Sequence, residues 1–457
     1  MKRSLVTRWG CGVLAAVLAV GTVMVLPKAG EQVQAASKVS GTYTEVVEGF
    51  DWGPGVTKLV LSLNTPIQAN SKGKLDKKAF SVVTTKQGYN DDYSPTKTTE
   101  DRIVTGAYTS DQSGKLVKGV SKFVTLELEC SPSEGNPFYY SMATSLNNWS
   151  KPYMNKITLT RNLKIKGTTL KKKSLSIKVR PQGRILDGID DTFTLNQKYK
   201  SDGITLRYAF HESDVKTSQK GVVVWLHGTG EGGTDTTIPL YGNKVTNLAS
   251  KKVQKNLKGC DILVVQCPSR WLTYKTGIST PDEENPIEKY QSEYTKVLYD
   301  LIQKYVKVSD ISSKRIYIGG ASNGGSMTMN MLLNYPNVFA GAFFASEGYA
   351  DRFITDEQLD SIKYIPMWFV YAEGDQTNDP AKTTKATYDR LVEAGATDVH
   401  LSYYPNGVVD TSGKYKDDDG TPHKYSAHWS WVYLLNNECS DRGVKLTRWL
   451  GSQRKTN

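Results

Sequence analysis

The stretch that decides the fold is Arg315-Ile316-Tyr317-Ile318-Gly319-Gly320-Ala321-Ser322-Asn323-Gly324-Gly325. A short apolar run leads into a Gly-x-Ser-x-Gly sequence, and a helical run over 327–333 follows it. A strand that turns sharply into a helix at a serine needs small neighbours, because the turn is tight and the hydroxyl must stay exposed. The pattern predicts that Ser322 is a nucleophile at such a turn. The alternative is a glycine-rich turn with a purely structural role.

Outward from this stretch, the second part of the chain (188–457) alternates short apolar runs with amphipathic segments. Strands that are apolar on both faces are typical of a parallel sheet covered by helices. We predict such strands over residues 222–226, 262–266, 315–318, 339–345, 367–371 and 399–403. Apolar residues over 287–305 share one helical face, with Asn285 as the cap and Pro286 in the first position. The fold class is therefore α/β, a mostly parallel sheet flanked by helices.

The first part of the chain (41–183) follows a period of two. Leu59, Leu61 and Leu63 alternate with other residues, and similar alternation recurs until Val179. Turn-rich segments separate these runs, so the pattern predicts half-buried strands and an antiparallel β-sandwich of immunoglobulin size. We interpret residues 180–188 as the linker to the α/β domain.

A glycine-rich loop follows the strand predicted over 222–226. It reads His227-Gly228-Thr229-Gly230-Glu231-Gly232-Gly233. Glycines allow backbone amides to turn toward a nucleophile and stabilise an oxyanion. We assign the two oxyanion-hole donors to the backbone amides of Thr229 and Asn323. A phosphate-binding loop is the rival interpretation, but the Lys-Ser/Thr ending of that motif is missing.

The acid and the base should follow the nucleophile in the order serine, acid, histidine. After the strand predicted over 367–371, one loop contains Glu373, Asp375 and Asp379. Asp379 precedes Pro380 and a helical run, so we interpret it as a helix cap. Asp375 lies directly past the strand and is the predicted acid.

Five histidines are candidates for the base. We interpret His227 as a brace of the glycine-rich loop, and His211 and His400 as structural residues in or before strands. Of the remaining two, His423 and His428, we favour His428 because it starts a helical stretch after a long loop. The Asp-rich loop before it, 417–420, is interpreted as solvated and not as a calcium site.

These three residues together would form a nucleophilic triad. His428 would take the Ser322 proton, and Asp375 would fix the imidazole tautomer. An acyl-enzyme would form and then be hydrolysed. This chemistry requires no metal and no organic cofactor.

Three stretches resemble the secreted α/β-hydrolase esterases related to polyhydroxybutyrate depolymerases and the prolyl oligopeptidase superfamily: Leu226-His227-Gly228-Thr229-Gly230-Glu231, Gly320-Ala321-Ser322-Asn323-Gly324-Gly325 and His428-Trp429-Ser430-Trp431. A fourth resembles the immunoglobulin-like domain that precedes some of these esterases: Trp52-Gly53-Pro54-Gly55-Val56-Thr57-Lys58-Leu59-Val60-Leu61. The resemblance implies an α/β-hydrolase fold, carboxylic ester hydrolysis and the triad Ser322, Asp375 and His428. Depolymerase-like members place the acid in an Asp-x-x-Val-Pro setting. Here Asp375-Gln376-Thr377-Asn378-Asp379-Pro380 has one extra residue and no valine.

The N-terminal residues 1–36 have the features of a secretory signal peptide. Basic residues precede an apolar run over 11–26, and small residues follow at Ala35 and Ala36. The alternative is a transmembrane anchor. We expect a secreted protein without a membrane anchor after cleavage.

The composition narrows the class of protein further. The chain has 457 residues, 38% of them hydrophobic, which excludes disordered, collagen-like and polytopic membrane proteins. Its formal net charge is +12, and residues 151–180 contain ten Lys or Arg without any Asp or Glu. This basic strip suggests contact with an anionic cell-wall polymer or polysaccharide, and the alternative is a solvated face. Nucleic acid is a poor partner for an exported protein. The four cysteines outside the leader require no disulfide.

Aromatic residues near the predicted strand ends suggest the substrate pocket. Ligands of open α/β sheets bind at the carboxyl ends of strands. We predict that Trp271, Tyr274, Tyr349 and Trp429 line the pocket, with core packing as the alternative for each ring.

The sequence therefore predicts a secreted serine carboxylesterase that acts on small acyl or aryl esters or on acylated polysaccharide. Alternatives are a serine peptidase of the prolyl oligopeptidase kind, a polyester depolymerase and, less favoured, a non-catalytic wall-binding protein.

Overall fold

The computed structural model describes residues 38–165, 168–272 and 292–455. The predicted signal peptide lies outside the described residues. In the first part of the chain the strands are β1 (Val39–Phe50), β2 (Gly53–Gln68), β3 (Phe80–Tyr89), β4 (Pro95–Arg102), β5 (Val104–Ser110), β6 (Val120–Leu128), β7 (Phe138–Ser141), β8 (Leu146–Trp149), β9 (Tyr153–Leu159), β10 (Leu163–Ile165), β11 (Thr168–Leu170), β12 (Leu175–Ile177) and β13 (Gly183–Leu186).

The second part of the chain alternates strands and helices. Its strands are β14 (Thr194–Ser201), β15 (Ile204–His211), β16 (Gly221–Leu226), β17 (Cys260–Gln266), β18 (Ile316–Ala321), β19 (Gly341–Ala345), β20 (Met367–Ala372), β21 (Val399–Tyr404), β22 (Val408–Val409), β23 (Lys424–Tyr425), β24 (Ser440–Asp441) and β25 (Val444–Lys445). Its helices are α1 (Thr237–Tyr241), α2 (Lys251–Leu257), α3 (Thr295–Val308), α4 (Asn323–Asn334), α5 (Asp356–Ile362), α6 (Thr384–Glu393), α7 (Trp431–Leu435) and α8 (Leu446–Ser452).

Two sheets form the β-sandwich. One has the order β12-β1-β2-β6-β5 with β13 also paired to β1, and the other has the order β4-β3-β9. The prediction of a purely antiparallel sandwich is wrong at β1, which pairs in parallel with both β12 and β13. Residues 183–186, predicted to belong to a linker, form β13 because they add to the free edge of β1. The linker prediction is corrected accordingly.

The large sheet has the order β14-β15-β17-β16-β18-β19-β20-β21. Strands β16 to β21 pair in parallel, as the continuous apolar runs predict. The antiparallel strands β14 and β15 at one edge were not predicted, because β14 alternates exposed and half-buried residues and β15 has only two buried ones, so neither forms a continuous apolar run. His211 consequently belongs to the sheet, at the end of β15.

Alternate residues of this sheet enter two apolar cores. On β16, Val222 and Val224 join a core with α3 to α6, whereas Val223 and Trp225 face α1, α2, α7 and α8. This alternation is the expected period of a strand buried on both faces. The sheet flanked by helices confirms the predicted fold class.

The predicted helix over 286–305 is present from Thr295 onward. Residues 285–291 lie outside the described residues, and residues 292–294 form a turn before α3 begins at Thr295. Among the helices of the described ranges, none has both the length and the apolar character that a membrane crossing requires.

The β-sandwich packs against the α/β sheet through one shared apolar core. Leu59, Leu61 and Leu126 of the sandwich belong to the same buried cluster as Trp225 and Trp368 of the large sheet. The described residues from Lys38 onward accordingly form one compact unit.

Polar contacts accompany this apolar junction. The Tyr241 hydroxyl lies 3.0 Å from the Val47 carbonyl oxygen and 2.8 Å from that of Asp187. The Asn436 side-chain amide donates to both carboxylate oxygens of Asp51 at 3.0 Å. The two parts of the chain therefore depend on each other for burial and for hydrogen bonds.

The substitution Tyr241→Phe tests this mutual dependence. Removing the hydroxyl takes away one hydrogen bond between the two parts of the chain, while the Val47 carbonyl keeps the Asp187 amide as a donor, so the free energy of unfolding should fall by about 1 kcal/mol. Calorimetry and tryptophan fluorescence should show one transition whose midpoint moves as a whole. Tyr364→Phe, at a side chain that is 74% exposed, is the control and should change little. Two transitions, of which only one shifts, would contradict a shared core.

Candidate active site

Ser322 lies at the sharp turn between β18 and α4. Its backbone has φ 52° and ψ −121°, a conformation that non-glycine residues rarely adopt. The glycines on either side are required by close backbone contacts. A Cβ added to Gly320 would lie 2.5 Å from the Leu226 carbonyl oxygen, and one added to Gly324 would lie 2.1 Å from the same atom. The Gly-x-Ser-x-Gly spacing therefore allows β18 and α4 to approach the end of β16.

The structure brings Ser322, His428 and Asp375 together. The Ser322 Oγ lies 2.9 Å from His428 Nε2, and His428 Nδ1 lies 2.9 Å from Asp375 Oδ2. The other carboxylate oxygen of Asp375 accepts hydrogen bonds from the backbone amides of Thr377 (2.9 Å) and Asn378 (3.0 Å). These amides fix the carboxylate, so that Oδ2 points at the imidazole.

The competing acids and histidines lie elsewhere. Asp379 caps the next turn by accepting from the Ala381 amide at 3.0 Å, and Glu373 accepts from the Tyr403 hydroxyl at 2.6 Å. His423 Nδ1 lies 2.6 Å from Asp417, within the loop before β23. The remaining histidines, His211 and His400, contact the Thr192 carbonyl and Asp441. None of these groups has a hydrogen bond to Ser322.

The glycine-rich loop passes beside Ser322 and is held by two buried side chains. His227 Nδ1 lies 2.7 Å from the Gly228 carbonyl, and its Nε2 accepts from the Cys267 amide at 3.2 Å. Burial lowers the pKa of His227 to about 4, so the ring is neutral and acts as a brace. Glu231 Oε2 accepts from the Gly228 amide at 2.9 Å, and its Oε1 accepts from Asn243 at 2.7 Å.

The two predicted oxyanion donors are the backbone amides of Thr229, in the glycine-rich loop, and of Asn323, the residue after Ser322. Thr229 begins the short 3-10 turn Thr229–Glu231, and Asn323 begins α4 directly after Ser322. Within the described part of the chain, neither backbone amide donates a hydrogen bond. The side chain of Asn323 is engaged instead with the Trp271 and Leu272 backbone, at 2.8 to 3.3 Å. Both backbone amides therefore have no hydrogen-bond acceptor among the described residues.

A cleft of about 460 Å³ opens over Ser322 and His428. Trp429 lines it, as predicted. Trp271 and Tyr349 do not, because both are buried in the core (1% and 5% exposed), and the prediction that they form pocket walls is corrected. Trp271 packs against the His227 ring at a centroid distance of 5.1 Å, which accounts for its burial. Tyr274 lies outside the described residues.

Two domain families match the chain. Residues 42–172 match the esterase Ig-like N-terminal domain, and residues 212–410 match the phospholipase/carboxylesterase family. The chain therefore contains one region similar to each of these two families. Its N-terminal part is hereafter the Ig-like domain and its C-terminal part the hydrolase domain. The matches support ester hydrolysis as the activity.

One solved structure shows the same fold over most of the chain, and others are similar to part of it. A thermostable esterase shares 24% identity and a TM-score of 0.67, over 91% of this chain and 99% of that one. An S-formylglutathione hydrolase from Agrobacterium tumefaciens shares 13% identity over 56% of this chain and 94% of its own, with a TM-score of 0.34. A ferulic acid esterase shares 12% identity over 47% of this chain and 91% of its own, with a TM-score of 0.35. No curated protein matches the chain in sequence.

The Ig-like domain supplies one wall of the cleft, which sequence reasoning missed. The residues it contributes are Trp52, Gly53, Pro54, Asn136, Phe138 and Asn147. They are distant in sequence from the triad, and no local pattern connects them to it. The hydrolase domain contributes a further aromatic residue that was not predicted, Trp431, whose ring meets the His428 ring edge-on at 5.2 Å.

Cysteine and acidic side chains of the described residues do not cluster into a candidate metal site. No group of three or more His, Cys, Asp or Glu residues there has the geometry of a metal site. Cys130, Cys260, Cys267 and Cys439 are buried free thiols.

A buried acid, Glu347, lies next to the turn that contains Ser322. Glu347 follows β19 and is fully buried. A Cβ added to Gly325 would lie 2.6 Å from the Cβ of Glu347. Its Oε2 accepts from the Tyr349 amide at 2.6 Å. Burial raises the pKa of this carboxyl from 4.5 to about 8. At a pH between these two pKa values, the carboxyl is ionised in the unfolded chain but protonated in the folded hydrolase domain. This group therefore lowers the free energy of unfolding as the pH rises.

The substitution Glu347→Gln should remove that loss. The amide oxygen can still accept from the Tyr349 amide, but the side chain no longer ionises in the unfolded chain. Urea unfolding at pH 5 and pH 8 should show a higher free energy of unfolding for the variant, relative to the wild type, at the higher pH. The difference should be at most about 1.4 kcal/mol for each pH unit between the two pKa values. The exposed Glu357→Gln is the control. A stability difference that is the same at both pH values would refute the shifted pKa.

Proposed function

We propose that this protein is a serine carboxylesterase in which Ser322 is the nucleophile, His428 the general base and Asp375 the orienting acid. The observation that carries the proposal is the continuous hydrogen-bonded chain from Ser322 Oγ through the His428 ring to Asp375, with both contacts at 2.9 Å. The families matched by the two domains agree with a hydrolase that acts on esters.

The first step is attack on the ester carbonyl carbon. His428 Nε2 accepts the Ser322 hydroxyl proton while Oγ forms the new bond to carbon. The carbonyl oxygen becomes an oxyanion, which the free amides of Thr229 and Asn323 stabilise by hydrogen bonds. Glu231 and His227 hold the Thr229 loop, so these donors need little reorganisation during the reaction.

The second step releases the alcohol. The bond from carbon to the leaving oxygen breaks, and His428 Nε2 gives its proton to that oxygen. The acyl group remains on Ser322. Water then attacks the acyl carbon by the same route, giving up its proton to His428, which returns it to Ser322 Oγ as the carboxylic acid leaves.

Asp375 acts on the ring and not on the substrate. Its carboxylate accepts a hydrogen bond from the Nδ1–H group and so fixes the tautomer in which Nε2 is free to act as a base. During each step it stabilises the positive charge on the imidazolium. The amides of Thr377 and Asn378 keep its carboxylate aligned.

The substitution Ser322→Ala tests the nucleophile. Hydrolysis of p-nitrophenyl acetate by the purified protein should fall by at least about 10³-fold, since removal of a triad member leaves only binding and oxyanion contributions. A fluorophosphonate probe should label the wild type and not the variant. Circular dichroism should show an unchanged fold. Wild-type turnover in a folded Ser322→Ala variant would refute the assignment.

The substrate class is proposed from the shape of the cleft. Trp52, Phe138, Trp429 and Trp431 give it aromatic walls, which suit small acyl or aryl esters and acylated sugars. Export through the predicted signal peptide is part of the same proposal, and its support is the sequence of residues 1–36 alone.

Trp429→Ala should separate substrates by size. Loss of a true wall ring is expected to raise KM for methyl ferulate several-fold, or about 1–2 kcal/mol, and to change KM for an acetyl ester less. Trp271→Ala is the matched control, because its ring is buried in the core: stability should fall without a difference between the two substrates. Equal changes in KM on both esters for Trp429→Ala would mean that its ring does not contact the substrate.

A further inference from the structure

The β7–β8 hairpin of the Ig-like domain lies between the catalytic cleft and a second cleft. Phe138 and Asn147 line the catalytic cleft, whereas their neighbours Tyr139 and Asn148 line the other one. This division follows from the alternation of side chains along a strand. The second cleft, of about 700 Å³, continues past Trp149 to Lys151 and Arg184.

A basic groove continues from this second cleft. It has a volume of about 570 Å³, shares Lys151 and Arg184 with the second cleft, and is also lined by Lys97 and Arg180. Asn147 and Lys151 are four residues apart, so their Cα atoms lie within roughly 14 Å of each other. The hairpin thus places the groove within reach of a short oligosaccharide bound in the catalytic cleft, across a second cleft that Asp190 and Asp235 also line.

Most of the positive charge in the groove is uncompensated. Arg184 pairs with Glu45 at 2.8 Å and stacks over the Trp149 ring at 4.6 Å. Lys97, Lys151 and Arg180, by contrast, are exposed and have no salt bridge to any described residue. Such a cluster beside low-dielectric walls attracts anions.

The basic strip of residues 151–180 is divided by the fold. Lys151 and Arg180 enter the groove near the start of β9, whereas Lys171, Lys172 and Lys173 lie in the turn between β11 and β12. The Lys173 amide donates to the Leu159 carbonyl at the other end of β9. The sequence therefore provides two basic sites of similar charge, of which only one adjoins the cleft system.

Exposed tyrosines surround the tip of the same hairpin. Tyr93 and Tyr140 are 67% and 44% exposed, and with Tyr89, Tyr139 and Met142 they line a cleft of about 500 Å³ that also contains Asn90. Aromatic rings left in water on a surface indicate a ligand with its own apolar faces. Sugar rings have such faces, and their hydroxyls can bond to amides and tyrosine hydroxyls.

We propose that the β7–β8 hairpin and the adjoining basic groove bind an anionic polysaccharide, and that esters on this polymer are the substrates of Ser322. The polymer binds by its carboxylates to Lys97, Lys151 and Arg180 and by its sugar rings to the tyrosines around the hairpin. The inference rests on the proposed esterase function for the reaction and on the Ig-like domain for the binding. The proposed ligand is a carboxylated saccharide and not a polyphosphate.

The test uses the full protein and two matched double variants. Lys151→Gln with Arg180→Gln removes two charges from the groove, and Lys171→Gln with Lys172→Gln removes two charges from the other end of the basic strip. Affinity for de-esterified polygalacturonate should fall about tenfold or more in the groove variant and less than about twofold in the control. Both variants should hydrolyse p-nitrophenyl acetate at the wild-type rate. On acetylated polygalacturonate, the groove variant alone should show a raised KM.

Other outcomes are equally decisive. Equal loss of affinity in both double variants would overturn the site, since net charge alone would then explain binding. Two results together would overturn the assignment of a saccharide ligand. Inorganic polyphosphate would bind the groove as tightly as polygalacturonate, and Tyr140→Ala would leave the affinity for polygalacturonate unchanged. If the wild type binds the polymer through the groove but does not hydrolyse p-nitrophenyl acetate, the binding site stands and the proposed esterase function fails.

Discussion

The contact between the nucleophile turn and the end of β16 is the constraint on which the site depends. The Leu226 carbonyl occupies the space that side chains at residues 320 and 324 would need, so only glycines allow β18 and α4 to reach it. Ser322 is thereby held in a conformation that costs about 1–3 kcal/mol. Hydrogen bonds from its amide to the Ala345 carbonyl and from the Ser326 amide to its own carbonyl offset part of that cost. The same contact puts the Thr229 loop beside the hydroxyl.

Buried polar groups then give the loops around Ser322 a single arrangement. The amides of residues 377 and 378 orient Asp375, Glu231 captures the Gly228 amide, and Asn323 fixes the backbone at Trp271 and Leu272. Each of these groups is removed from water, which is costly unless its hydrogen bonds are made. The loops therefore cannot relax without losing bonds that water does not replace. This is how irregular segments gain the precision that the triad needs.

The Ig-like domain contributes to the cleft through its packing, and not as an appended module. A continuous apolar core joins the sandwich to one face of the large sheet, and Asp51 anchors the segment next to Trp52 to Asn436 and Lys244. Because Trp52 and Phe138 are held in this way, they can form one wall of a cleft whose other wall belongs to the hydrolase domain. The same packing gives the β7–β8 hairpin its position between the catalytic cleft and the basic groove.

The sequence by itself determined the features that follow from local pattern. Apolar runs predicted β16 to β21, and alternation predicted the sandwich strands β2, β6, β9, β10 and β12. The expected order of serine, acid and histidine identified Ser322, Asp375 and His428, which lie together in the structure. Local pattern could not predict β13, because its place beside β1 is decided by a free strand edge far away in sequence. Nor could it separate Trp429, on the cleft, from Trp271, in the core, since aromatic residues at strand ends look alike until neighbouring elements cover one of them. The wall contributed by Trp52 was decided only by tertiary structure, because burial and contact across more than 200 residues depend on how the two sheets pack.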